Sequence, residues 1–171
     1  MTRLLINRIL AWTIDVGLIA LYAVLLFAVT SLFFDVTQKR IDPFVGQLIG
    51  FITLTLPVFV YSYGTEISKR KATIGKRILN LTVQTSETKE KKNILLRNIL
   101  KYLPWEIAHT GVHWLFYYEA NGSEIPSWIW GMLIGPQLIV LIYFVSMVTS
   151  QGKSSVYDSI SGTQVQLQHV P

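Results

Sequence analysis

The chain has 171 residues, 51% of them hydrophobic, and a mean hydropathy of +0.42, too apolar for an ordinary soluble domain of this size. Its net charge of +5 comes with no nucleic-acid-binding module, and most basic residues flank apolar runs, where they orient a membrane protein and meet anionic lipid. There is no cysteine, which excludes disulfides, thiolate chemistry and cysteine-ligated metals.

Arg3 and Arg8 form a short basic start, followed by a first predicted span over residues 9–34. Within it Val16–Phe34 runs 19 residues without a charge, enough to cross a bilayer core of about 30 Å at about 1.5 Å per residue. This run is too long for a signal-peptide core and lacks a small-residue cleavage site, so a retained helix is expected. Arg8, Asp15 and Tyr22 recur every seven residues and share one helical face, a polar stripe on an apolar helix.

Asp35–Pro43 reads as a short outer loop. A second span is expected over residues 44–63, with Gly46 and Gly50 permitting close helix contact and Pro57 predicting a kink. The connector Gly64–Leu103 then holds ten of the fifteen Lys and Arg residues, which places it on the cytoplasmic side. Glu66–Lys71 reads as a charged interfacial patch. In Ala72–Thr85 a glycine turn leads into alternation, with Leu79, Leu81 and Val83 on one face, and a strand is expected over residues 78–84. Ser86–Asn93 reads as a polar turn. Ile94–Leu103 places Arg97 and Lys101 on one face of an amphipathic surface helix.

Pro104 and Trp105 are expected to restart the chain into a third span over residues 104–119. Glu119–Pro126 forms an outer loop, and a fourth span covers residues 127–149. The tail 150–171 carries a second alternating stretch, 163–168, expected to pair with the first. With four spans and both termini inside, 13 positive charges lie inside and 2 outside. The expected fold is therefore an all-α membrane bundle of four transmembrane helices, one domain over residues 1–171. A small cytoplasmic cap holds the amphipathic helix and two short strands.

Asp15 is the first candidate site, because charge at membrane depth is costly and is either paired or functional. It reads either as an ion- or proton-binding carboxylate or as the partner of Lys76, Arg77 or Arg97 in an ionic latch; Arg8 and Asp158 form a similar latch between the two ends. Glu106, His109 and His113 share one helical face within about 11 Å, which suits a proton relay, a transition-metal site or helix packing. Lys76, Arg77, Arg97 and Lys101 are placed as contacts to anionic lipid headgroups or to the cap. HExxH, a complete P-loop and a nucleophile elbow are all missing, so no enzyme and no cofactor is expected.

Four ordered segments carry a resemblance. Asn7–Ile19 (NRILAWTIDVGLI) supplies Arg8 and Asp15. Thr73–Val83 (TIGKRILNLTV) is similar to a TxGKRxLxLxV element, Leu96–Leu100 (LRNIL) to an LRNxL element, and Tyr157–Val165 (YDSISGTQV) to a closing DxxxGTxV motif that supplies Asp158. Together they resemble the RDD family of small bacterial membrane proteins, named for one Arg and two Asp. Tyr157 departs from the His common in that family. The resemblance implies a bacterial inner-membrane location and either exchange of monovalent cations for protons or a regulatory partnership with another membrane protein. A homo-oligomer is expected, since four helices leave little room for a pathway.

Overall fold

The structure is a computed structural model that describes residues 2–33, 42–85 and 90–168. The predicted loop Asp35–Pro43 and turn Ser86–Asn93 fall largely or partly outside those residues. The molecule is mainly helical, with one two-stranded sheet.

Helix α1, Arg3–Phe33, is one uninterrupted 31-residue rod. Helix α2, Pro43–Gly50, starts with proline at its first position and with Asp42 as its cap. The carboxylate accepts the N–H groups of Phe44 at 2.9 Å and Val45 at 3.3 Å. It passes through a π-helical turn, Phe51–Thr55, directly into α3, Leu56–Glu66. Pro57 explains that turn: without an N–H it leaves the Thr53 carbonyl unbonded, and the Tyr22 hydroxyl from α1 donates to it at 2.6 Å.

The connector departs from its prediction. Residues 74–78 are a short helix, α4 (Ile74–Ile78), and strand β1 begins only at Leu81 (Leu81–Thr85). The reason lies at Asn80, whose φ of 52° is a left-handed turn that no strand contains. From Leu81 onward the strand forms, with Leu81 and Val83 fully buried and Thr82 between them buried as well. β1 pairs antiparallel with β2, Thr163–Leu167, in the register Leu81↔Leu167 and Val83↔Val165. Leu81, Val165 and Ala11 of α1 form the buried apolar cluster, so the sheet is docked on the first helix.

The predicted break at Pro104 is also overturned: Glu90–Ala120 is a single helix, α5, of 31 residues with Pro104 inside it. The carbonyl that Pro104 cannot serve, that of Leu100, accepts the Tyr143 hydroxyl at 3.2 Å. A partner from another helix makes the proline tolerable, as it does at Pro57. The C-terminal half of α5 lies against α6, Ser127–Thr149, where a Cβ on Gly111 would stand 3.1 Å from Met132 and Leu133. A last helix, α7 (Val156–Ser161), leads into β2.

Among the described residues three helices are long and apolar enough to cross a membrane: Arg3–Phe33, Pro43–Glu66 and Ser127–Thr149. Helix α5 is not among them. Its amphipathic first half and the polar residues Glu106, His109 and His113 dilute its hydropathy. The three apolar helices turn large side chains outward, including Phe27, Leu32 and Phe44 at 65–81% exposure, as lipid-facing surfaces do.

Candidate functional site

Six charged side chains are buried among the described residues: Arg8, Asp15, Glu66, Lys76, Arg97 and Asp158. Five of them form one continuous series. On α1, Arg8 donates through Nη1 to the Gly152 carbonyl at 2.9 Å and through Nη2 to Asp158 and to the Tyr157 hydroxyl. Gly152 can come this close because it has no side chain. Its φ is 89°, and a Cβ there would lie 2.7 Å from the Leu5 backbone.

Asp158 sits in the first turn of α7, where it accepts the Ser155 N–H at 2.8 Å, and its second oxygen takes Arg97 Nε at 2.8 Å. Arg97 Nη1 then reaches both oxygens of Glu66, at 2.7 and 2.6 Å. Asn98 Nδ2 donates to Glu66 at 3.0 Å, and Lys76 closes the series with an ion pair to the same carboxylate. One series thus ties α1, α3, α4, α5 and α7 together.

Every member of this series has a counter-charge or a hydrogen bond, the condition under which buried charges are tolerated. At Asp158 burial works against the charged form, but Arg97, Arg8 and the Ser155 N–H outweigh it and hold the carboxyl below its ordinary 3.8. Burial, with Arg97 and Lys101 nearby, pushes the Lys76 ammonium down to about 7 against the pull of Glu66.

Asp15 stands apart, and the expected pairing with Lys76, Arg77 or Arg97 does not form. Its oxygens accept the Thr73 hydroxyl at 2.6 Å, the Gly75 N–H at 2.9 Å and the Tyr61 hydroxyl at 3.3 Å. Tyr61 in turn accepts the Ile74 N–H at 3.0 Å. A carboxylate of the first helix therefore caps the short helix α4 from outside. Gly75 is the cause. A Cβ at this position would lie 2.2 Å from the Ala11 carbonyl, so α4 rests directly on α1 and its backbone donors occupy Asp15. Arg77 turns to its own segment, donating to the Ala72 carbonyl at 2.8 Å, and Lys101 lies over the Tyr102 ring at 4.9 Å.

The second predicted group is divided. Glu106 accepts Gln47 Nε2 and the Thr55 hydroxyl, the latter at 2.8 Å, both from the second helix. His109 and His113 face each other, Nε2 to Nε2 at 3.2 Å. Their rings lie over the two glycines: a Cβ on Gly50 would be 2.5 Å from His109, and one on Gly46 2.8 Å from His113. The GxxxG pair thus makes room for histidines. Among the described residues no three His, Asp or Glu side chains come together as a metal set. Gln47 Oε1 and His109 Nδ1 are buried without a hydrogen-bond partner there.

The RDD family model matches residues 2–162, nearly the whole chain. The protein belongs to the RDD family. No curated protein and no solved structure matches it. The RDD residues divide into two roles: Arg8 and Asp158 touch, whereas Asp15 works alone on α4. Glu66 and Asn98 are central to the buried series but were missed as site residues. Glu66 was hidden in a charged patch, and its one signal is that no other acid precedes Glu87 among the connector's many bases.

Proposed function

We propose that this RDD protein is a four-span inner-membrane protein that exchanges monovalent cations for protons, with Glu106 as the ion-binding carboxylate. The observation that carries this reading is the company Glu106 keeps. It is held by the neutral side chains of Gln47 and Thr55 and forms no ion pair among the described residues, and Gln47 Oε1, without a hydrogen-bond partner there, belongs to the same group. Carboxylate, amide and hydroxyl oxygens suit hard cations, and the imidazoles of His109 and His113 lie close by on the same helix, side chains of the type that relay protons.

In this reading the C-terminal half of α5 is the fourth crossing. Its contacts with α6 through Gly111 and with the second helix through Gly46 and Gly50 support that placement. The distribution of Lys and Arg supports cytoplasmic termini and a cytoplasmic cap. The protein acts as a homo-oligomer, and no enzymatic step is involved. Asp15, occupied by three donors, is an anchor for α4 rather than an ion site.

The test is cation-driven pH change in proteoliposomes, with Na⁺, K⁺ and Li⁺ tried separately. Wild type should show flux, and Glu106→Gln should lower it about tenfold or more while remaining folded. Asp15→Asn should lower the yield of folded protein but leave flux per folded molecule. Absence of flux from correctly inserted wild type overturns exchange. It would favour a non-transporting regulator or scaffold that binds another membrane protein. The observation on that side is how fully Arg8, Asp15 and Asp158 are consumed by internal contacts.

A further inference from the structure

A cleft of about 620 Å³ opens between α1, the second helix, α5 and α6, within the size range of pockets that enclose a small ligand. Its two ends differ. Arg8, Lys76, Arg97, Lys101 and Tyr157 gather at one end, near the start of α1 and the end of α6. Away from them the walls are mainly apolar, with Asp15, Thr55 and Gln137 as polar exceptions. Trp12 and Val16 of α1 and Leu141 and Phe144 of α6 line opposite sides, and all four are more than 40% exposed. Such a surface in a membrane is covered by something apolar, and its basic end selects what that is.

Unused donors converge on the basic end. Arg97 spends Nε on Asp158 and Nη1 on Glu66, which leaves Nη2 without an acceptor among the described residues. Lys101 makes no ion pair there, only its contact with the Tyr102 ring. Arg8, Lys76 and Arg97 are each paired with Asp158 or Glu66, so Lys101 is the one cation of the four without a carboxylate partner among the described residues. A phosphodiester carries one negative charge and presents oxygens that a guanidinium and an ammonium bind together.

We propose that this cleft holds one anionic glycerophospholipid, its phosphodiester on Arg97 and Lys101 and an acyl chain between α1 and α6. Basic pockets between membrane helices recognise headgroups in this way. The site goes beyond the general attraction of a basic connector to a charged membrane, because the lipid sits inside the fold. It rests on the membrane placement of the chain and not on ion exchange, so loss of transport would leave it standing.

Native mass spectrometry of the full chain, titrated in detergent with short-chain phosphatidylglycerol, phosphatidylcholine or inorganic phosphate, tests the proposal. One phosphatidylglycerol should bind about fivefold to tenfold more tightly than phosphatidylcholine, and inorganic phosphate should not compete. Lys101→Gln should remove that preference, and Leu141→Trp, which narrows the cleft from a lipid-facing position, should weaken both lipids. Lys91→Gln, on an exposed residue of α5 outside the cleft, should change neither. Equal affinity for the two lipids overturns the proposal, as does equal loss from Lys91→Gln and Lys101→Gln. Competition by phosphate, or a dimer in which a second copy replaces the lipid, overturns it as well. Should Lys101→Gln fail to fold, the Leu141→Trp comparison decides alone.

Discussion

Asp158 is held between two guanidiniums, those of Arg8 and Arg97, with a backbone N–H on the same carboxylate. Its folded pKa is lowered from 3.8, so the unfolded chain binds the proton more readily than the folded one. The stabilisation is therefore fully present above about pH 4 and is lost as pH falls through the lowered folded value. Thermal unfolding followed through tryptophan fluorescence should show that acid-side loss in wild type and a smaller one in Asp158→Asn, where Glu66, held low by Arg97 and Lys76 against its burial, still titrates. At neutral pH Asp158→Asn should already be less stable by about 3–5 kcal/mol, because Arg8 and Arg97 then lie buried without their shared counter-charge. Arg8, Asp15 and Asp158 were legible in the sequence because a charge on an apolar helix, or inside a motif, stands out. The partners of Asp15 were not. Two of the groups around it, the N–H of Gly75 and the N–H of Ile74 behind Tyr61, are backbone donors that no residue letter announces.

At the scale of the element, three prolines sit inside continuous helices, Pro57, Pro104 and Pro136, and at the first two tyrosines from neighbouring helices bond the carbonyls they free. Tyr143→Phe should therefore cost about 1 kcal/mol, in the range of hydrogen bonds between membrane helices. In a Pro104→Ala background the cost should fall close to zero, because the new Ala N–H takes the Leu100 carbonyl. A double-mutant cycle on unfolding in mixed micelles measures the coupling. Little or no coupling would mean that Tyr143 does not complete α5. The same detail explains a misreading of the sequence. Proline ordinarily ends a helix, and the residue that rescues this one, Tyr143, lies in another helix, 43 positions from the Leu100 carbonyl it bonds. The boundaries of α6 and the pairing of the two strands were legible, since a long charge-free run and a period of two are local signals. The late start of β1 was not, because the left-handed turn at Asn80 is set by the docking of α4 on α1.

For the whole molecule the open question is how many times the chain crosses. The absence of native cysteine makes single introduced cysteines clean reporters. With four crossings, a cysteine at Ser123, between α5 and α6, should be labelled from the periplasm by an impermeant maleimide. A cysteine at Gln151, after α6, should be labelled only once the membrane is broken. The reverse pattern, with Gln151 labelled from the periplasm and Ser123 only once the membrane is broken, would leave α5 lying along the surface and remove the proposed pathway through Glu106. Three spans were legible from length and apolar composition; α5 is harder because its polar residues face inward on neighbouring helices, a feature of packing that hydropathy averages away.

The buried series closes on residues made at opposite ends of synthesis. Arg8 and Asp158 are separated by 150 positions, which at about 5–20 residues per second takes a ribosome roughly 8–30 s to translate. For that interval Arg8 is without the carboxylate that pairs with it in the folded chain. A message truncated before Asp158 would leave Arg8 without its counter-charge and Arg97 with Glu66 alone. The latch between the two ends of the chain is thus the last part of the buried series that synthesis can complete.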